Sequence, residues 1–447
     1  MENQNKKVHM ICNAHIDPIW QWGWQEGVSA AISSFQSAAM LADEFDYVFC
    51  HNEVTLYKFI ETYAPALFEK IKELVKAGKW HIMGGWYLQP DCVMPSGESF
   101  VRQIQEGRRY FEEKFGVKPT TGINFDPFGH TRGLVQIMAK CGQDSYLFMR
   151  PGAWQATLPK DAFWWEGFDG SRIKAFRMSG YNSHMGDSVK KIKGDVENTV
   201  GPIVCSTWGV GNHGGGPSRK DLADIECLIE EGKEQGITYL HSTPENLFAD
   251  LVAEETVDHS LYSCNSGCYV SMNTVKRKHI ELENELYLAE KICSAAAMRG
   301  LMEYPHQLLQ EAVEDLLNSE FHDVLPGSSV QSGEESGLRY LYHGLMQAEK
   351  AKTQAFFALL KQEKPAEPDS YPIFVFNPHP YESEQVLECE FMLSDQNWST
   401  EQVARVRVYD ADGQLLTSQK VKEVEKMCCI YAMKYYSTAK RTKQFHL

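Results

Sequence analysis

Short apolar runs alternate with helix-period stretches across residues 1–250. The β-type runs lie at Val8 to Asn13, Tyr47 to Cys50, Trp80 to Met83, Gly122 to Phe125, Tyr146 to Met149, Ile173 to Arg177, Ile203 to Trp208 and Ile237 to Leu240. Between many of them apolar positions recur with the period of an amphipathic helix, over Glu53 to Ala77, Gly97 to Phe115, Leu134 to Cys141 and Ser218 to Gln235. This alternation predicts an α/β domain, a parallel sheet with crossover helices that either closes as a barrel or stays open.

After Leu261 the pattern lengthens. Val275, Leu282, Leu286, Ala289, Cys293 and Ala296 mark one helical stripe, and helices near Gln307 to Ser319 and Leu338 to Lys361 carry similar ones, so a three-helix bundle is expected. Gln362 to Ser370 reads as a linker. Beyond it, period-two alternation around Ile373 to Phe376, Val386 to Leu393 and Val403 to Tyr409 suggests strands. The expected domains are residues 1–260, 261–364 and 371–447, the last being the start of a β-sandwich left incomplete, because a lone two- or three-stranded sheet is marginal.

Polar residues collect immediately after the strand runs: His15 and Asp17, then Asp91, Asp126 and His130, Arg150, and Asn212 with His213. In parallel α/β folds the ligand site lies at the carboxyl ends of the strands, so these side chains are expected to converge. Two positions apart in extended backbone, His15 and Asp17 point to one side and can reach one ion. Trp20, Trp22 and Trp24 follow, as a sugar-stacking wall or as core tryptophans. Asn124 to His130 repeats the strand-then-Asp-Pro arrangement, and Asp126 reads as a third metal ligand, a nucleophile or a turn carboxylate.

The formal charge of −16 argues against a nucleic-acid partner, whose phosphates need clustered Lys and Arg. Residues Met1 to Val8 are polar and carry no secretion signal, and no later run is long enough to span a bilayer, so no membrane association is expected. The cysteines lack repeated Cys-x-x-Cys spacing, which fits reduced thiols in a cytoplasmic protein.

Four blocks in order, Ala14 to Trp22 (AHIDPIWQW), Gly84 to Ser99 (GGWYLQPDCVMPSGES), Asn124 to Gly133 (NFDPFGHTRG) and Phe321 to Ser329 (FHDVLPGSS), make the chain resemble the α-mannosidases of glycoside hydrolase family 38. Phe148 to Gly152 (FMRPG), Gly209 to Pro217 (GVGNHGGGP) and Gly267 to Ser271 (GCYVS) add weaker support. The resemblance implies a seven-stranded β/α barrel-like domain, a three-helix bundle and large β domains. It implies one Zn²⁺ held by His15, Asp17, Asp126 and His322, with Asp126 also the nucleophile of a retaining glycosidase. Trp20, Arg150 and Asp323 match positions that contact the sugar. The implied partner is a mannose-containing glycan or mannoside, with homo-oligomerisation left open.

Where better-known members carry a general-acid carboxylate, this chain has Gly211-Asn212-His213-Gly214. His213, Asp91 and Glu98 are alternatives, and the acid stays unassigned. Family members also continue well beyond the length of this chain, which reads as truncated in its β domain. Two other readings remain: a metal-dependent carbohydrate deacetylase or amidohydrolase, and a truncated, non-catalytic carbohydrate-binding protein.

Overall fold

The β-branched and aromatic runs of the sequence become strands close to the expected positions. The structure, a computed structural model, describes residues 5–211, 213–262, 265–368, 370–392, 406–426 and 430–439. The strands of the first part are β1 (Lys7–Cys12), β2 (Phe49–His51), β3 (Trp80–Ile82), β4 (Thr121–Asn124), β5 (Ser145–Phe148), β6 (Ala162–Glu166), β7 (Arg172–Arg177), β8 (Ile203–Trp208), β9 (Thr238–His241) and β10 (Thr256–Val257). The helices are α1 (Trp24–Glu44), α2 (Val54–Tyr63), α3 (Pro65–Lys76), α4 (Gly97–Phe115), α5 (Gly133–Lys140), α6 (Ser188–Asn198), α7 (Arg219–Gln235), α8 (Pro244–Asp250), α9 (Asn273–Met298), α10 (His306–Ser319) and α11 (Gln331–Leu360).

The strands pair in two five-stranded sheets. β1 is the hub of the first: it runs parallel to β8 from Lys7 opposite Ile203 to Cys12 opposite Trp208, to β9, and at its end to β2, which continues to β3. The second sheet has the order β10, β6, β7, β5, β4. β4, β5 and β7 are parallel, while β6 runs antiparallel to β7. This hairpin departs from the all-parallel expectation. The sequence reading places no strand at Ala162–Glu166, although Phe163 and Trp165 alternate into the core.

Two further departures have local causes. The single helix expected over Glu53 to Ala77 is two, because Pro65 has no N–H to donate and opens α3 at its first position. α1 was hidden among the tryptophans and small residues, yet it buries Val28, Ala31, Phe35, Ala38 and Ala42 along one face. By contrast α4 and α7 obey their sequence signals: Ser96 and Ser218 cap their N-termini, and Gly116 and Gly236 close them in left-handed conformation.

Two compact units emerge, one of Met1–Leu286 with His306–Glu349, the other of Tyr287–Pro305 with Lys350–Leu447. In the first, one cluster packs Phe100, Leu134, Met138, Tyr146, Phe148 and Trp165, and a second packs Ile11, Met83, Ile123, Phe125 and Leu147. In the second unit, Ala289, Cys293 and Ala296 of α9 and Ala351 and Ala355 of α11 are buried. That unit also holds an antiparallel sheet of β11 (Gln385–Met392), β12 (Val408–Tyr409), β13 (Leu415–Lys426) and β14 (Ile430–Ala439), ordered β11, β14, β13, β12. Among the described residues no helix is long and apolar enough to cross a membrane.

Two glycines allow backbone to meet backbone at the carboxyl end of β1. A Cβ on Gly27 of α1 would lie 2.2 Å from the Pro18 carbonyl oxygen. A Cβ on Gly209, just after β8, would lie 2.0 Å from the Asn13 carbonyl oxygen, and Gly209 holds φ +115°. Gly209→Ala therefore combines a disfavoured backbone with overlap against main chain that cannot move aside, and is expected to cost at least about 2 kcal/mol. An unchanged midpoint of chemical unfolding for Gly209→Ala would contradict this account.

Candidate metal centre

The chain leaving β1 stays extended. Asn13 continues the ladder through its N–H to the Trp208 carbonyl at 2.8 Å, and Ile16 bridges His213 in antiparallel fashion. His15 and Asp17 consequently both turn inward, each 2% exposed. β4 delivers Phe125 and Asp126 from another strand end. The third contribution comes after α10, where Phe321 bridges Pro90 and the Asp91 N–H donates to the Glu320 carbonyl at 2.8 Å. These two main-chain contacts bring His322, distant in sequence, against His15, with ring centroids 5.5 Å apart.

Donor atoms of His15, Asp126 and His322 all lie within 4.8 Å of one another, and so do those of Asp17, His322 and Asp323. Asp17 Oδ1 is 2.9 Å from His15 Nε2 and 3.7 Å from His322 Nε2. Neither approach is aligned as a hydrogen bond: all three atoms are buried and lack a hydrogen-bond partner. Leaving a buried polar atom unpaired costs roughly 1–3 kcal/mol, so a carboxylate oxygen close to two unpaired imidazole nitrogens is an arrangement that suits a cation. The residues present fit a metal ion. His322 Nδ1 lies 3.0 Å from the Gln89 carbonyl, which can only accept, so the proton sits on Nδ1 and the Nε2 lone pair is presented to the site.

The electrostatics agree. Burial, followed by the nearby Asp126 charge, holds the Asp17 carboxyl well above the usual carboxylate range. Burial also pushes Asp323 up to about 7 and lowers His322. A cation would reverse the first two tendencies.

Asp126 is the most accessible member, its side chain 14% exposed. Arg150 Nε donates to its Oδ1, and the Tyr181 hydroxyl donates to its Oδ2 at 3.1 Å. Tyr181 packs on the His15 ring with centroids 4.5 Å apart and stacks on Phe125. Phe128 lies 6.0 Å under the Arg150 guanidinium. Trp20 and Trp22 meet edge to face, and the Trp22 indole donates to the Asp17 carbonyl at 3.0 Å. Asp323 accepts from Ser328 Oγ.

The other strand-end residues do not join this group. His130 is a satisfied core histidine, one nitrogen 2.8 Å from the Tyr146 hydroxyl and the other 2.8 Å from the Arg150 carbonyl. Asp91 is fully buried, its carboxylate taken by the Tyr269 hydroxyl at 2.7 Å and the Met94 amide at 2.7 Å. Glu98 is exposed in the first turn of α4 and pairs with Arg102. His213 lies half exposed against Trp22 and 3.1 Å from Glu26; Asn212 lies outside the described residues.

Sequence reasoning missed Tyr181 and Gln89. Tyr181 follows β7, so the strand-end rule that found Asp126 would have found it. Gln89 carries no comparable signal, since its role depends on contacts from three separate segments.

Comparison with known proteins gives a consistent result. The description "Glycosyl hydrolases family 38 N-terminal domain" matches residues 5–265, and "Alpha mannosidase middle domain" matches residues 263–359. The chain is 28% identical over 363 residues to Alpha-mannosidase G of Dictyostelium discoideum, covering 78% of this chain and 33% of that protein. It is 28% identical to human Alpha-mannosidase 2C1, covering 74% of this chain and 33% of the relative. Among solved structures, an alpha-mannosidase from Enterococcus faecalis V583 superposes with a TM-score of 0.78 at 20% identity, covering 97% of this chain and 54% of the other. The chain thus spans about 33% of the length of the curated relatives it matches.

Buried His51 and His130 and half-buried His241 make an acid-sensitive contribution to stability. Burial lowers His130 to about 4, His241 to about 4 and His51 to about 3, all below the unfolded value of about 6.5. The folded chain keeps them neutral while the unfolded chain binds protons, so their contribution is fully present above about pH 6.5 and is lost as pH falls through 4 toward 3. Raised carboxyls such as Asp323 act in the opposite direction, so the histidine contribution is read as a difference: the urea midpoint of the native chain relative to His241→Gln should decline from pH 7 to pH 4, and a flat difference would refute this.

Proposed function

The chain belongs to glycosyl hydrolase family 38, and from that premise we propose that it is the catalytic part of a retaining α-mannosidase acting on terminal α-mannosyl residues of glycans or mannosides. His15, Asp17, Asp126 and His322 are the proposed ligands of one Zn²⁺, since two imidazoles and two carboxylates suit that ion. The observation that carries the reading is the convergence of unpaired His15 Nε2, Asp17 Oδ1 and His322 Nε2 beside Asp126. The proposed domains are residues 1–260, a barrel-like β/α domain, residues 261–364, a three-helix bundle, and residues 371–447, a β domain. Parallel pairing around β1 and β5 supports the class of the first, while its ten strands exceed the seven expected. The described cysteines are free thiols, which supports a cytosolic setting.

When bound, the metal would act as a Lewis acid toward vicinal hydroxyls of the mannose. The nucleophile is Asp126. A carboxylate oxygen forms an ester with the anomeric carbon as the glycosidic bond breaks, and water later cleaves that ester with retained configuration. Arg150 and Tyr181 aim the carboxylate and stabilise it as an anion before attack. Trp20 offers an aromatic face to the sugar. Asp323, buried beside His322, can accept from a sugar hydroxyl.

The departing oxygen needs a proton, and at the acid position of the late loop stands Asn212, which has none to give. Turnover should therefore depend steeply on the leaving group. p-Nitrophenol, acidic enough to leave unprotonated, should be released from its α-mannoside, while a methyl α-mannoside should react on the order of a hundredfold more slowly or worse. Similar rates for the two would mean that another residue supplies the proton.

The decisive experiment follows nitrophenol release by the native chain, by the chelated chain and by Asp126→Asn. Both treatments should abolish release, and a fluorinated glycosyl inhibitor should label Asp126 covalently. Full activity in the chelated protein would defeat the metal assignment. Asn212 also favours a second reading, a carbohydrate-binding protein without turnover, for which mannoside would bind but no nitrophenol would appear.

A further inference from the structure

Gln89 lies outside the proposed ligand set, yet it touches every segment that carries a ligand. Its main-chain carbonyl accepts from His322 twice, from the ring Nδ1 at 3.0 Å and from the His322 amide at 3.3 Å. Its side-chain Oε1 accepts from the Phe125 N–H at 2.7 Å, one residue before Asp126. Its Nε2 lies 3.3 Å from His15 Nδ1. These contacts reach the ends of β1 and β4 and the turn after α10 from a single residue.

Gln89 is itself held. Its N–H donates to Glu53 Oε1 at 3.1 Å, and both residues are fully buried. Glu53 occupies φ +75°, a left-handed conformation that a side-chain-bearing residue adopts at a cost. That conformation sits at the turn from β2 into α2 and sends the carboxylate inward to meet the Gln89 amide. With Leu88 N–H accepted by Gln103 Oε1 at 3.0 Å, the main chain at Leu88 and Gln89 is bonded to side chains on both residues.

Resting on the zinc reading above, we propose that Gln89 is a positioning residue that fixes the spacing of the three ligand-bearing segments and thereby sets the affinity of the centre for metal. The Phe125 contact carries most of this role. Without an acceptor at Oε1, the Phe125 N–H is left buried and unpaired, and the main chain leading into Asp126 is free to shift. Groups that orient metal ligands in this way typically change metal affinity by 10–100-fold when removed.

The test measures the zinc dissociation constant of the purified chain by competition with a chromophoric chelator. Gln89→Met keeps the volume and removes both polar atoms; it should bind zinc at least about tenfold more weakly while its far-ultraviolet dichroism stays native. Gln89→Glu keeps an acceptor for Phe125 and replaces the Nε2 amide, which can only donate toward His15, by a carboxylate that accepts from the Nδ1–H of a His15 ligating through Nε2, so its affinity should equal or exceed that of the native chain. A purely structural role would lower the melting temperature of Gln89→Met without moving the zinc constant, and that result would overturn the proposal. So would a tenfold loss in Gln89→Glu, the variant that decides the matter if Gln89→Met does not fold. A native chain that takes up no zinc would instead remove the metal centre itself, and the positioning role with it.

Discussion

Burying carboxylates beside imidazoles that do not pair with them is the constraint on which the first unit depends. Asp17 and Asp323 sit in surroundings that resist their ionisation, and His322 is held neutral by the same surroundings. No hydrogen bond inside the described protein compensates Asp17 Oδ1 or the two Nε2 atoms. The fold tolerates the arrangement because other contacts hold the backbone rigidly: the β1–β8 ladder, the Pro90–Phe321 bridge and the close approach of Gly209 to Asn13. Rigid main chain and unsatisfied side chains together are what a preorganised cation site requires.

Asp126 plays a different part from its neighbours. It is partly open to solvent and already receives an N–H from Arg150 and a hydroxyl from Tyr181. Donors to both of its oxygens fix the orientation of this carboxylate, which the proposed nucleophilic role requires. Where the family resemblance implies a general-acid carboxylate, the sequence has Asn212. The proposed mechanism is therefore better provided for bond formation at the anomeric carbon than for protonating the group that departs.

Much of this was legible in the residues. Strand positions followed from apolar runs, and most of the helices expected between them from their period, with Ser96 and Ser218 as the caps the structure adds. The His15, Asp17 and Asp126 positions followed from the strand-end rule. His322 did not, because an imidazole at the end of an apolar helix has no local feature that marks it as a ligand; the block around it supplied the expectation. Strand β6 went unread, and with it the hairpin it forms with β7, because a five-residue run holding only Phe163, Trp164 and Trp165 as large apolar residues does not stand out as a strand. His130 shows the opposite failure: it sits at a strand end beside Asp126, yet its ring is satisfied by Tyr146 and Arg150 and only braces the wall. Gln89 was invisible because its partners come from three distant places, information that no single window of sequence contains.

The separation of the donor residues has a consequence during synthesis. His15 and Asp17 leave the ribosome early, whereas His322 follows about 307 residues later, which at roughly 5–20 residues per second is about 15 to 60 seconds. For that interval the nascent chain carries two or three donors without the fourth, and the Pro90–Phe321 bridge that aims the last imidazole cannot yet exist. A partial set exposed to the cell's metal pool binds weakly and with little discrimination. On the proposed zinc reading, metal loading follows translation of the helical segment, and the four proposed donors come together only after β1 and β4 have been made.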